Sequence, residues 1–241
     1  MGSGMSTAFE KYSDIIFSAF KSSNKQHEIA AKKKEILDEV LDHYNIQPTN
    51  ILFVGFSPCI SLYKFATVTN VSTEVAEYLK ENTTAHVVDF KSVKNKEFDI
   101  VVAADEFLTF AASDEDQRSA IANLASIARQ FVITTLRDYK NQDFKNREFS
   151  NPIHIRGTTK KIYLEHYDYD LIDRNSCQAT CYIIDDESVD IIGPFARRNL
   201  FFKQLAKFSL DAGAESFFIH KNIMHKSIIK KNYEHIITIK F

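Results

Sequence analysis

ILFVGFSPCISLYKFATVTN, residues 51 to 70, opens with four apolar residues and breaks at a glycine. An all-apolar run of that length is what a short strand covered on both faces requires. Gly55-Phe56-Ser57-Pro58 then makes the turn, and a second apolar run, Ala66 to Val71, reads as the next strand. A buried strand that breaks at glycine is the usual prelude to a nucleotide-binding turn. Such turns carry two or three glycines, and this one carries Gly55 alone. Between the two strands, CISLYKF leaves room for about two helical turns at most. The stretch is a working cofactor turn, a reduced one, or the remains of one.

Downstream, strand and helix signals alternate. Ser72 or Thr73 can cap a helix running through Val75, Tyr78 and Leu79. Ala85 to Val88 reads as a third strand ending at Asp89, and Phe98 to Ala103 as a fourth ending near Asp105. SDEDQRSAIANLASIAR, from Ser113, has a capping serine, acids in its first turn and apolar residues at helical spacing. Phe131 to Thr135 is a fifth strand. Five strands alternating with helices over about ninety residues call for a parallel sheet with crossover helices. Beyond Asp138 the rhythm changes to a polar stretch, DYKNQDFKNREFSNP, and then to two antiparallel strands, Tyr163 to Tyr169 and Gln178 to Ile184. Phe195 to Ala212 reads as a helix ended by Gly213. Ser216 to His220 and His235 to Ile239 read as a last hairpin.

Upstream, Thr7 to Tyr44 is helical, with Phe9, Tyr12, Ile16 and Phe20 at three- and four-residue steps. Lys21-Ser22-Ser23-Asn24 divides this region into two helices, and Gln47-Pro48-Thr49-Asn50 closes it. Met1-Gly2-Ser3-Gly4 reads as a cloning scar, with Met5 the native start. The expected organisation is therefore a scar over 1–4, a helical lid over 5–48 and an α/β domain over 49–241, with added strands around 150–190.

Composition narrows the classes. Of 241 residues, 44% are hydrophobic and 26% charged, enough for a sizeable core. A net charge of -2 and a pI near 6.5 argue against a protein that grips duplex nucleic acid through many phosphates. No uninterrupted apolar run approaches the length of a membrane span. The three cysteines, Cys59, Cys177 and Cys181, are too few and too awkwardly placed for a disulfide framework, which fits a reducing cytoplasm. Cys177 and Cys181 lack a second pair at metal-site spacing, so no metal is expected. In a strand they share a face, as two half-buried thiols.

In an open α/β sheet, ligands bind beyond the carboxyl ends of the strands. Here those ends read Val54-Gly55-Phe56-Ser57, Thr69-Asn70, Asp89-Phe90 and Ala104-Asp105-Glu106. In this order, and with SLDAGAESFFI leading into the final hairpin, the chain resembles the class I S-adenosylmethionine-dependent methyltransferases from Met5 onward. The resemblance implies a Rossmann-like fold: a mostly parallel seven-stranded sheet, helices on both faces and an N-terminal helical lid. It implies S-adenosylmethionine as cofactor. Val54, Gly55, Phe56 and Ser57 would lie against the methionine portion, Asn70 at the ribose, and Asp89 and Phe90 at the adenine. Ala104, Asp105 and Glu106 would line the methyl-transfer pocket, with Asp105 or Glu106 orienting the acceptor or serving as base. Tyr12 from the lid, and Arg137 and Tyr139 after the fifth strand, would grip a small-molecule acceptor through its oxygen or nitrogen.

This sequence departs from the family at Phe53, where an acid is usual, at Ser57 and Cys59 in place of glycines, and at Asn70 in place of the ribose-binding acid. An amide can still accept one hydroxyl hydrogen bond and donate another, without the charge-assisted strength of a carboxylate. Each candidate also has a plainer reading. Asp89 can be a turn former, Asp105-Glu106 a solvated turn, and Tyr12 a core aromatic of an amphipathic helix. Arg197-Arg198 at a helix start is electrostatically poor and hints at an anionic neighbour. Two alternatives stay open. One is a non-catalytic binding or assembly module, self-associating as a homodimer, with its pocket blocked by Phe56, Pro58 or Tyr63. The other is a nucleic-acid or protein methyltransferase with a basic stripe through Lys140, Lys145, Arg147, Lys160 and Lys161.

Overall fold

The computed structural model describes residues 3–22, 24–46, 50–63, 66–69, 71–103, 106–137, 147–149, 152–156, 160–173, 175–226 and 231–241. Two helices come first, α1 (Ser3–Ser22) and α2 (Asn24–His43). They are followed by β1 (Ile51–Val54), with all four side chains buried. Next come β2 (Thr67–Thr69), α3 (Thr73–Asn82), β3 (His86–Val87), β4 (Phe98–Ala103), α4 (Asp114–Ile127) and β5 (Ala128–Arg137). Ser72 caps α3 by accepting from the Val75 N–H. Ser113 caps α4 through the Asp116 N–H, with Asp114, Glu115 and Asp116 filling its first turn. After β5 lie β6 (Arg147–Phe149), β7 (Ile153–Arg156), β8 (Lys160–Tyr169), β9 (Ser176–Ile184) and β10 (Val189–Arg198). The chain ends with α5 (Phe202–Asp211), β11 (Ser216–Lys226) and β12 (Lys231–Lys240).

The main sheet has seven strands in the order β11-β12-β5-β4-β1-β2-β3. Its central pairs are parallel, whereas β12 runs antiparallel to both β5 and β11. From β1 the chain moves outward to β2 and β3, then returns to β4 on the other side. The topological switch point therefore lies between β1 and β4, and a crevice is expected beyond their carboxyl ends. Two hydrophobic clusters cover the two faces of this sheet. Phe9, Tyr12, Ile15 and Ala19 of α1 belong to one, and Phe17 and Phe20 to the other. Helix α1 therefore straddles the sheet end, directly over the switch point.

The short first crossover is a 3-10 turn, Pro58–Leu62, with proline at its first position, where a missing N–H costs nothing. Helix α2 covers the face that a longer crossover helix would cover. Its Asp38 accepts from the Tyr63 hydroxyl at 2.8 Å, Lys34 lies over the Tyr63 ring, and Leu37, Val40 and Leu41 share a core with Phe56, Cys59 and Ile60.

Two expectations are corrected. The last long helix starts at Phe202, not Phe195, because residues 195–198 continue β10. Phe195 and Arg197 are buried while Ala196 and Arg198 are half-buried, a period of two rather than 3.6. The added region also holds more than two strands. β10-β9-β8-β6 form a second, antiparallel sheet, with β7 also pairing β8.

Candidate functional site

Val54 ends β1 inside the core that also holds Phe9 of α1. Gly55 follows with φ +81 and donates its N–H to the Thr69 carbonyl at 2.8 Å, which ties the turn to the end of β2. Left-handed backbone of this kind is cheap only for glycine. A Cβ at this position would lie 2.0 Å from Phe9 Cε1 and 2.7 Å from Cζ, so the bare backbone is in contact with the Phe9 ring. That ring meets Phe107 edge-on at 4.8 Å and Phe110 at 5.3 Å. Phe56 turns to the opposite face, against Phe17 and Phe20. Ser57 has φ -121, ordinary extended backbone, and its hydroxyl lies 3.4 Å from Cys59 Sγ. The serine that replaces a glycine is therefore unstrained.

The neighbouring ends carry polar groups. Thr69 is wholly buried at the end of β2, and its Oγ1 has no hydrogen-bond partner among the described residues. The same holds for Ser13 Oγ, one helical turn beyond Phe9 on α1. Asp14, next to it, has its pKa raised by burial, against a hydrogen bond from Ser72 that lowers it. Asp89 is exposed at the end of β3 and accepts from the Lys91 N–H at 2.9 Å, capping the 3-10 turn Phe90–Ser92. Phe90 packs partly against the core. Asn70, Ala104, Asp105 and Tyr139 lie outside the described residues, and Arg137 is described only as the backbone end of β5.

Glu106, beyond β4, is not the solvated turn of its plainer reading. It is buried, adopts a left-handed backbone with φ 64, and pairs with Arg197 of β10. The same guanidinium reaches Thr109 Oγ1 at 2.6 Å and lies over the rings of Phe110 at 4.4 Å, Tyr12 at 5.6 Å and Tyr167 at 5.8 Å. Burial is the largest single influence and works against the Arg197 charge, but Glu106, Tyr167, Tyr12 and Glu165 together outweigh it and hold the pKa well above the ordinary value. On the inner face of the second sheet, Glu165 accepts from the Tyr163 hydroxyl at 2.8 Å and from the Tyr167 hydroxyl. Cys177 and Cys181 lie on this face and are wholly buried, not half-buried. Burial pushes their thiols up to about 11 and about 12.

The structure thus brings Tyr12, Glu106 and the Gly55 turn together under α1. It adds Arg197, Glu165, Tyr163 and Tyr167, which the sequence reading assigns no site role. Their signal is the alternation Tyr163, Glu165, Tyr167, Tyr169, one sheet face of tyrosines around a single acid. Arg197 and Arg198 do have the anionic neighbours expected for them, Glu106 for one and Asp114 and Asp173 for the other, although they end a strand. In the basic stripe, Arg147 lies 3.5 Å from Asp168 and Lys161 3.8 Å from Asp185, while Lys140 and Lys145 are outside the described residues. Among the described residues no cluster of His, Cys, Asp and Glu is arranged to hold a metal. Among them, no helix is long and apolar enough to cross a membrane.

No family model and no curated protein matches the sequence. Solved structures do match. The CcbJ methyltransferase from Streptomyces caelestis superposes with a TM-score of 0.60 at 12% identity, over 90% of this chain and 89% of that one. DesVI from Streptomyces venezuelae gives 0.58 at 13%, over 90% and 94%. CalS10, an amino pentose methyltransferase from Micromonospora echinaspora solved with S-adenosylmethionine bound, gives 0.57 at 9%, over 92% and 94%. The chain has the fold of the class I S-adenosylmethionine-dependent methyltransferases, and the likeness is one of fold.

Proposed function

We propose that this protein is an S-adenosylmethionine-dependent methyltransferase acting on an oxygen or nitrogen of a small molecule. One observation carries the reading. At the switch point of a methyltransferase fold, Gly55 presents bare backbone to α1, and the buried hydroxyls of Thr69, whose carbonyl it bonds, and of Ser13, one turn beyond Phe9, lack partners among the described residues. A buried hydroxyl without a partner is costly, and a polar ligand relieves that cost. The residues present therefore fit the cofactor. Gly55 would admit its amino-acid portion, Ser13 and Thr69 would pair with its polar groups, and Asp89 with Phe90 would receive the adenine.

When bound, S-adenosylmethionine supplies an electrophilic methyl group on a sulfonium. The chain's own part is orientation in a dry site. Tyr12 and the Glu106–Arg197 pair form the wall beyond β4, and Glu165 with Tyr163 and Tyr167 forms the roof. Together they exclude water and fix the acceptor. Glu106 is already held in an ion pair with Arg197, which suits this wall to positioning rather than to strong base catalysis. The small-molecule enzymes among the structural relatives favour a small acceptor.

One observation favours a second reading, a methyltransferase-like module without turnover: the Phe9 ring fills the cradle over Gly55. Titration calorimetry with S-adenosylhomocysteine on the wild type and Asp89→Ala decides between the two. Micromolar binding that the variant weakens supports the enzyme. No heat at millimolar ligand with either protein leaves the second reading.

A further inference from the structure

We propose that Phe9 is a plug supplied by the chain itself, and that α1 must lift it from Gly55 before the cofactor can seat. This rests on the cofactor reading above. The Phe9 ring lies where a Cβ on Gly55 would be, at 2.0 Å, so no ligand atom can reach the turn while the ring stays. The ring is 1% exposed and is held by the edges of Phe107 and Phe110, apolar contacts that can part without stranding a charge.

The closed arrangement also leaves Ser13 Oγ, on the same helix one turn away, without a partner among the described residues. A well-packed lid that strands a buried hydroxyl is poised for a second position in which that hydroxyl is satisfied. The far half of α1 has its own anchorage on α3: Phe17 against Tyr78 at 4.9 Å, Asp14 bonded to Ser72, and Lys21 3.5 Å from Glu74. The near half, with Phe9, is the part that moves. The plug then weakens apparent affinity in proportion to the closed fraction, as any state that cannot bind does.

The chain has no tryptophan, so Phe9→Trp places a sole indole in the plug. Its emission, blue-shifted in the core, should move to the red as S-adenosylhomocysteine is added, with the midpoint that calorimetry gives for the same variant. Phe9→Leu, apolar but shorter, should bind the ligand about fivefold or more tightly than the wild type. If calorimetry shows binding while the indole emission stays fixed and Phe9→Leu matches the wild type, the plug is overturned and the cofactor site stands. If wild type, Phe9→Leu and Phe9→Trp all fail to bind at millimolar ligand, the cofactor reading falls and the plug with it. Should Phe9→Leu not fold, the emission of Phe9→Trp decides alone.

Discussion

Helix α1 closes over two regions built in opposite ways. At the Gly55 turn its contact is a set of aromatic edges, Phe9 on Phe107 and Phe110, near hydroxyls that lack partners among the described residues. At the wall formed by β10, Tyr12 faces a guanidinium already paired to Glu106 and Thr109. The first contact can open at the cost of some apolar burial. At the second, the ion pair lies wholly between Glu106 and Arg197, so Tyr12 can leave the guanidinium without separating it, whereas parting the pair itself would leave desolvated charge behind. Helix α1 is therefore arranged to move and the wall beneath it to stay.

The sharpest way to break this contrast is Arg197→Met, which takes the cation from a buried carboxylate and should cost about 3–5 kcal/mol in urea denaturation. Adding Glu106→Gln should recover about 1–3 kcal/mol of it, since residues in one network couple. A loss within experimental error would mean that the wall is not what holds the second sheet down. Next comes Gly55→Ala. Left-handed backbone alone costs an alanine about 1–2 kcal/mol, the new methyl displaces Phe9, and S-adenosylhomocysteine binding should vanish. Ser57→Gly is its counterpart. Since Ser57 is already extended, restoring the usual glycine there should bring no gain in affinity. A gain would show that the turn, not the plug, limits binding.

The thiols test whether the second sheet stays shut. With pKa values near 11 and 12, Cys177 and Cys181 are about one part in a thousand thiolate or less at pH 8. Iodoacetamide should leave both unmodified in the native protein, with or without S-adenosylhomocysteine, and label both in denaturant. Ligand-induced labelling would mean that the acceptor side opens too.

How much of this was legible in the sequence follows from where the signals are local. β4 and the start of α4 were readable, because Phe98 to Ala103 is apolar at every position but Asp99 and Ser113 with three acids is a cap written in adjacent residues. β2 and β3 proved shorter than their apolar runs, as pairing at a sheet margin decides their length rather than hydrophobicity. β10 was misread because Phe195 to Arg198 runs on into the helical pattern that follows, and the strand that fixes its period of two, β9 at Cys177 to Ala179, lies upstream in the chain. The turn itself was readable as reduced. That Phe9 fills it was not, since amphipathic spacing says that a side chain is buried and not against what.

The smallest effect expected is at Asp14, and its sign distinguishes burial from pairing. Burial raises the Asp14 pKa in the folded protein, the carboxylate of Glu74 adds to that, and the Ser72 hydroxyl opposes it. The folded state therefore holds this proton more tightly than the unfolded chain. The stability it contributes is full below the ordinary pKa of 3.8 and is lost as pH rises through the raised folded value. At pH 7 the buried charge is a small burden, discounted further because the group is partly open to solvent. Asp14→Asn should therefore raise the melting temperature slightly at pH 7, and the difference should shrink as pH falls toward 4. A variant less stable than wild type at pH 7 would mean that the Ser72 bond outweighs burial. The anchored half of α1 would then be held by a charge-assisted contact, and the two halves of the helix would differ even more than their packing shows.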